Sequence, residues 1–115
     1  MAIPIRMTKP WRPLTPEEAD KVAGNLGVYQ LADDAGEVLY IGVAGGKSLF
    51  GLRGEIQAKA AEPPAGATRF RLEVNTSYRT RLRELLMVHQ FDHGGALPPL
   101  QPAEDGRGLG KISPG

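Results

Sequence analysis

The stretch GVYQLADDAGEVLYIG, from Gly27 to Gly42, constrains this chain's fold more than any other segment. Val28, Tyr29 and Leu31 favour extended backbone, and Val38 to Ile41 is an unbroken apolar run. Between them Asp33-Asp34-Ala35-Gly36 has turn chemistry, with a glycine available for positive φ. The pattern predicts a β-hairpin. It also puts two of the chain's three tyrosines at the two ends of that hairpin, each close to a glycine. Either the hairpin merely carries aromatics, or two phenols face one site.

The rest of the chain is read around this ribbon. Thr15-Pro16-Glu17-Glu18 predicts a helix start, with Thr15 as cap, Pro16 at the first helical position and Glu18 completing a capping box; Gly24 closes that short helix. Ser48 is positioned to cap a second helix from about Leu49 to Ala60, with Leu49, Leu52 and Ile56 on one face. From Thr68 to Val74 the residues alternate, Phe70, Leu72 and Val74 against Arg69, Arg71 and Glu73, as in a half-buried strand. A longer helix follows, roughly Tyr78 to His93, ended by Gly94-Gly95. The fold class expected is α+β: a small three-stranded, mostly antiparallel sheet flanked by helices, in the order α-β-β-α-β-α. Residues 1–26 read as an extended arm and short helix, with Trp11 packed on the domain edge. Residues 27–101 read as the domain, and 102–115 as a loose or partly docked Pro/Gly-rich tail.

Composition bounds the function classes. At 115 residues the chain fits one domain. Fourteen Lys and Arg against thirteen Asp and Glu leave it near neutral, so any nucleic-acid contact depends on where the charges cluster. The chain has no cysteine, which excludes disulfides, thiol nucleophiles and Cys-based zinc sites and is compatible with a reducing cytoplasm. No run has the length or apolarity of a signal peptide or membrane span, so a cytoplasmic protein without a membrane partner is expected.

Several polar residues could carry chemistry. On the last helix, Tyr78, Leu82, Leu85, Leu86 and His89 share one side, and Glu84 shares another with Met87, Val88 and Phe91. A carboxylate on a covered face needs a pairing cation, a hydrogen bond or a metal. The competing reading is a salt bridge to Arg81 or Arg83. Arg69 and Arg71 on the third strand, with Arg79, Arg81 and Arg83 on the helix, form either a phosphate-facing patch or a solvated surface. His89 and His93 have a spacing that can chelate a metal, but no third ligand is in view. Ser48 and Ser77 read as caps rather than nucleophiles.

Taken together, these residues resemble the GIY-YIG nuclease superfamily over roughly residues 27 to 101. The first motif stands as Gly27-Val28-Tyr29 and the second as Tyr40-Ile41-Gly42, with the tyrosines eleven positions apart. Arg53 is the only arginine in the segment where the family bears its catalytic arginine. Glu84, with Met87 and Val88, matches the family's metal-binding glutamate. The resemblance implies a metal-dependent endonuclease hydrolysing DNA, branched or damaged DNA included, with Tyr29, Tyr40 and Arg53 catalytic and Mg²⁺ (or Mn²⁺) on Glu84. It implies that Gly27 and Gly42 let a backbone come close, and that Arg69, Arg71, Arg79, Arg81 and Lys47 hold the nucleic acid. Val43 stands where many members have a basic residue, and Gln101 where the family often has asparagine. Those two departures carry the alternative, a nucleic-acid-binding or interaction module that keeps the fold and has lost turnover.

Overall fold

The computed structural model describes residues 5–110. Its elements run β1 (Arg12–Pro13), α1 (Pro16–Ala19), β2 (Gly27–Ala32), β3 (Val38–Ala44), α2 (Gly51–Ala61), β4 (Arg69–Val74) and α3 (Tyr78–Asp92), followed by a 3₁₀ turn over Ala103–Gly106. The α+β class and the antiparallel pairing stand. The strand count is corrected: the described residues hold four strands in the order β1-β4-β2-β3, not three. The extra strand comes from the N-terminal arm, where Arg12 pairs with Phe70 and Pro13 with Arg69. Proline lacks an N–H to donate, so it is tolerated only at an edge like this one; its presence masked the strand in the sequence.

Side chains alternate across β2 and β3 and give the sheet two apolar faces. Tyr29, Leu31, Ala44 and Phe70 pack with Ala19 and Val22 and with Leu52, Ile56 and Ala60 of α2. On the opposite face Val28 and Ile41 pack with Met7 and with Leu85 and Leu86 of α3. The sheet therefore separates α2 from α3, and a residue's parity along the hairpin decides which helix it meets.

Local chemistry sets the element ends. Thr15 caps α1 as expected, its hydroxyl accepting from Glu18 N–H at 3.2 Å. The capping box is not completed, because the Glu18 carboxylate turns to Arg12 and Lys21 instead. Helix α2 starts at Gly51 rather than near Leu49. Ser48 does not cap it: its hydroxyl accepts from Gly45 N–H at 3.0 Å and closes a tight turn. Phe50 then takes φ 64°, an uncommon state for a bulky residue. Leu49 and Phe50 are left 77% and 68% exposed, not on the buried helix face.

The segment after α3 docks more firmly than its composition suggests. Pro98 is fully buried, and Leu100 N–H donates to Leu39 O. Gln101 spans the free edge of β3: Ile41 N–H donates to its Oε1 at 2.9 Å, and its Nε2 donates to Ile41 O at 2.9 Å. One side-chain amide thus supplies the pair of bonds a neighbouring strand would make. Residues 1–4 of the arm and 111–115 of the tail lie outside the described residues. Gln101→Ala is expected to lower the unfolding free energy by about 2 kcal/mol, since two backbone groups lose their partner. The readout is the denaturant midpoint at unchanged slope. A change within about 0.5 kcal/mol, ordinary for a surface substitution, would show that the clamp contributes nothing.

Candidate functional site

The hairpin does bring its two phenols together. Tyr29 and Tyr40 lie on the α2 face of the sheet with ring centroids 6.1 Å apart. Gly42 makes this approach possible. It sits directly across from Tyr29 in the ladder, and a Cβ there would stand 2.5 Å from the Tyr29 Oη. Gly27 answers a similar need, since a Cβ there would meet the Glu73 carbonyl and the Leu52 side chain. Both motif glycines are therefore required by packing inside the protein.

What surrounds the phenols comes from α2 and from the segment after α3. Tyr29 Oη donates to Glu55 Oε1 at 3.3 Å. The Lys59 ammonium lies 5.6 Å from the Tyr40 ring centroid. Glu55 and Lys59 are four residues apart, one turn of the helix. Sequence reading missed both, although Glu55 and Lys59 occupy one flank of a helix whose apolar stripe, Leu52 and Ile56, was legible. Tyr29 is 1% exposed, and burial, with Tyr40 and Glu55 close by, pushes its phenol well above the ordinary value. Burial, Asp105 and Glu55 raise Tyr40 as well. A phenol acts as a base only when its proton is easily lost. These surroundings work the other way, so both phenols keep their protons at neutral pH.

Arg53 and Glu84 do not join this cluster. Arg53 lies on the opposite flank of α2, where its Nε donates to Val22 O at 2.6 Å. Its neighbour on that flank, Gln57, bonds Asp20 in the same direction, toward α1. Glu84 belongs to α3, across the sheet from the phenols. There its carboxylate is 3.3 Å from Arg81. Of the two readings given for Glu84, the ion pair is the one seen. Arg81 is 4% exposed and its main partner is Glu73, at 2.8 Å and 3.1 Å. The donor set at Glu84 does not fit Mg²⁺, because a cation there would stand beside the Arg81 guanidinium. Among the described residues no group of three or more His, Cys, Asp or Glu is arranged to hold a metal ion.

The basic residues divide in the same way. Arg81 is internal. Arg71 is half-buried, with Nε donating to Gln30 at 2.7 Å and its guanidinium 4.1 Å above the Trp11 ring. Trp11 thus packs on the domain edge as expected. Arg83 donates to Gly108 O. Arg69 is exposed, at the end of the sheet where it pairs with Ala32. Lys47 and Arg79 lie toward the other end, each next in sequence to a residue of one contact. Gly46 N–H donates to Tyr78 Oη at 3.1 Å, which fastens the Gly45–Ser48 turn to the start of α3. Lys47 follows in that turn, and Arg79 lies 6.0 Å from the Tyr78 ring centroid. Both are exposed, and neither has an acidic partner among the described residues. Thr76, Ser77 and Thr80 line a shallow concavity there with Tyr78 and Arg79.

Comparison with known proteins adds a family without a function. The chain belongs to the family described as Domain of unknown function (DUF7508), whose model matches residues 5–92. No curated protein and no solved structure matches it. No helix among the described residues is long and apolar enough to cross a membrane.

Proposed function

We propose that this member of a family without an assigned activity is a nucleic-acid-binding module on a GIY-YIG-like scaffold, with DNA as its partner. The observation that carries the reading is the end of the molecule formed by the Gly45–Phe50 loop and the start of α3. Lys47 and Arg79 supply positive charge without acidic partners among the described residues. The N–H groups of the first turn of α3 add a partial positive charge of their own; Ser77 makes no side-chain cap bond there. Phe50 is held in the left-handed region with its ring in solvent, a geometry suited to stacking on a base. Phosphate contacts of this kind position a duplex or strand without reading its sequence.

Binding of a fluorescein-labelled DNA oligonucleotide, followed by anisotropy at low salt, tests this. The double variant Lys47→Glu, Arg79→Glu is expected to lose at least about tenfold in affinity, because two attractive charges become repulsive. Equal binding by the variant and the parent would reject this interface, as would no binding by either.

Hydrolysis is the second reading, and one observation favours it: a carboxylate, Glu55, stands on the phenol face with Tyr29, Tyr40 and Lys59. Under that reading Glu55, not Glu84, is the carboxylate of the site, and Mg²⁺- or Mn²⁺-dependent plasmid nicking disappears in Glu55→Gln and survives in Glu84→Gln. The binding-only reading expects no nicking by the parent protein.

A further inference from the structure

We infer that the sheet and the second half of α3 enclose a binding site for a free single-ring lactam of the pyrimidinedione class, a ligand with an N–H beside a carbonyl. The pocket between them has a volume of about 130 Å³. A cavity of about 150 Å³ takes up benzene, so this space is sized for one six-membered ring. Met7, Val38, Leu85 and Val88 supply apolar walls for the faces of such a ring. The site lies on the face of the sheet that α3 covers, across from the phenols. It is at the end of α3 away from Lys47 and Arg79, and nothing in it depends on the DNA-binding reading.

Two polar side chains border this space, Gln30 at 5% exposed and His89 at 8%, and each keeps one atom unpartnered among the described residues. Gln30 stands across from Arg71 in the ladder of β2 and β4, and its Oε1 accepts from Arg71 Nε at 2.7 Å. A guanidinium only donates, so the amide's orientation is fixed and the Nε2 donor is left over. His89 Nδ1 lies 3.0 Å from Ala96 O. A carbonyl only accepts, so Nδ1 carries the proton and Nε2 presents a lone pair. Burial holds the His89 pKa below its ordinary value, which keeps the ring neutral. No fully buried side-chain nitrogen or oxygen among the described residues lacks a partner. Both leftover atoms therefore reach open space, and the pocket they border supplies it. One free donor and one free acceptor on a ring-sized space call for a ligand edge of the opposite pattern. A lactam has it: its carbonyl accepts from Gln30 Nε2 and its N–H donates to His89 Nε2. Charge at the rim agrees. Arg6 is paired with Asp92 at 2.7 Å, and Arg71 is engaged by Gln30 and the Trp11 ring, so neither guanidinium calls for a phosphate. The ligand is the free ring rather than a nucleotide.

Full-length ¹⁵N-labelled protein is titrated with uracil as the probe. The Gln30 side-chain amide and the His89 Nε2 resonances should shift together and saturate, with half-saturation at about 1 mM or below, the range open to a ligand of this size. 1,3-Dimethyluracil keeps both carbonyls and loses both N–H groups. It should bind at least about tenfold more weakly and leave the His89 Nε2 resonance in place. Gln30→Leu removes the donor at similar volume and should weaken uracil binding by at least about tenfold. Uridine 5′-monophosphate should bind no tighter than uracil. The proposal is overturned if uracil gives no saturable shift at these two groups, if dimethyluracil or Gln30→Leu binds equally well, or if the monophosphate binds tighter. The comparison of ligands needs no substitution, so it decides the question even where Gln30→Leu disturbs the fold.

Discussion

Glu73→Ala is expected to lower the unfolding free energy by about 3 kcal/mol, whereas Glu84→Ala, on the carboxylate the family resemblance singles out, changes it by less than about 1 kcal/mol. Both carboxylates approach Arg81, but not equally. Glu73 takes two of its nitrogens, while Glu84 is a single 3.3 Å contact on a side chain 41% exposed. Removing Glu73 takes two charge-assisted hydrogen bonds away from a guanidinium that is 4% exposed. Acid should show the same asymmetry. Burial raises the Glu73 pKa, but hydrogen bonds from Arg81 and Asn75 outweigh it and hold the group below its ordinary value. A carboxylate held down on folding contributes stability that is fully present above its unfolded pKa and is lost as pH falls through the folded one. The parent therefore loses stability below about pH 4.5, the ordinary glutamate value, and Glu73→Ala loses less over that interval. Equal unfolding midpoints for the two alanine variants would contradict the assignment of Arg81 as a mainly Glu73-paired group.

Gly42→Ala should be nearly as damaging, costing about 3 kcal/mol, the upper range for inserting a methylene-sized group into a packed core. The new methyl would have to share space with the Tyr29 ring, which is buried and fixed by Glu55. The double variant Gly42→Ala, Tyr29→Leu should recover part of the loss, because the clash is with the outer ring atoms. If Gly42→Ala unfolds at the parent's midpoint, the glycine is not kept by the phenol and the packing account of the motif is wrong. A Gly42 requirement that appeared only as lost DNA binding, with stability unchanged, would contradict it equally.

How much was legible in the sequence follows from the range over which each signal acts. The hairpin was readable because its determinants are local: β-branched and aromatic residues on either side of a turn rich in Asp and Gly. The strand at Arg12–Pro13 was not, since only the pairing of Arg12 with Phe70 makes that arm extended. Helix α3 was found nearly to its ends, but its surroundings were not. Periodicity told which residues share a side without telling which face of the sheet the helix covers. That missing fact separates Glu84 from Tyr29 and Tyr40. Gln101 was marked as a family departure, and its role as a clamp on Ile41 rests on residues sixty positions apart. Glu55 was passed over because a charged residue on a helix flank looks solvent-facing until a phenol is found opposite it.

The central claim is that any nucleic acid is held at the loop and helix end around Lys47 and Arg79, and not at the phenol pair. Amide chemical-shift mapping of the ¹⁵N-labelled protein on addition of a short DNA duplex tests it most directly. The account predicts perturbations concentrated in Gly45–Phe50 and Thr76–Thr80. Shifts centred on Tyr40, Glu55 and Lys59, or a spectrum that does not change at all, would contradict it.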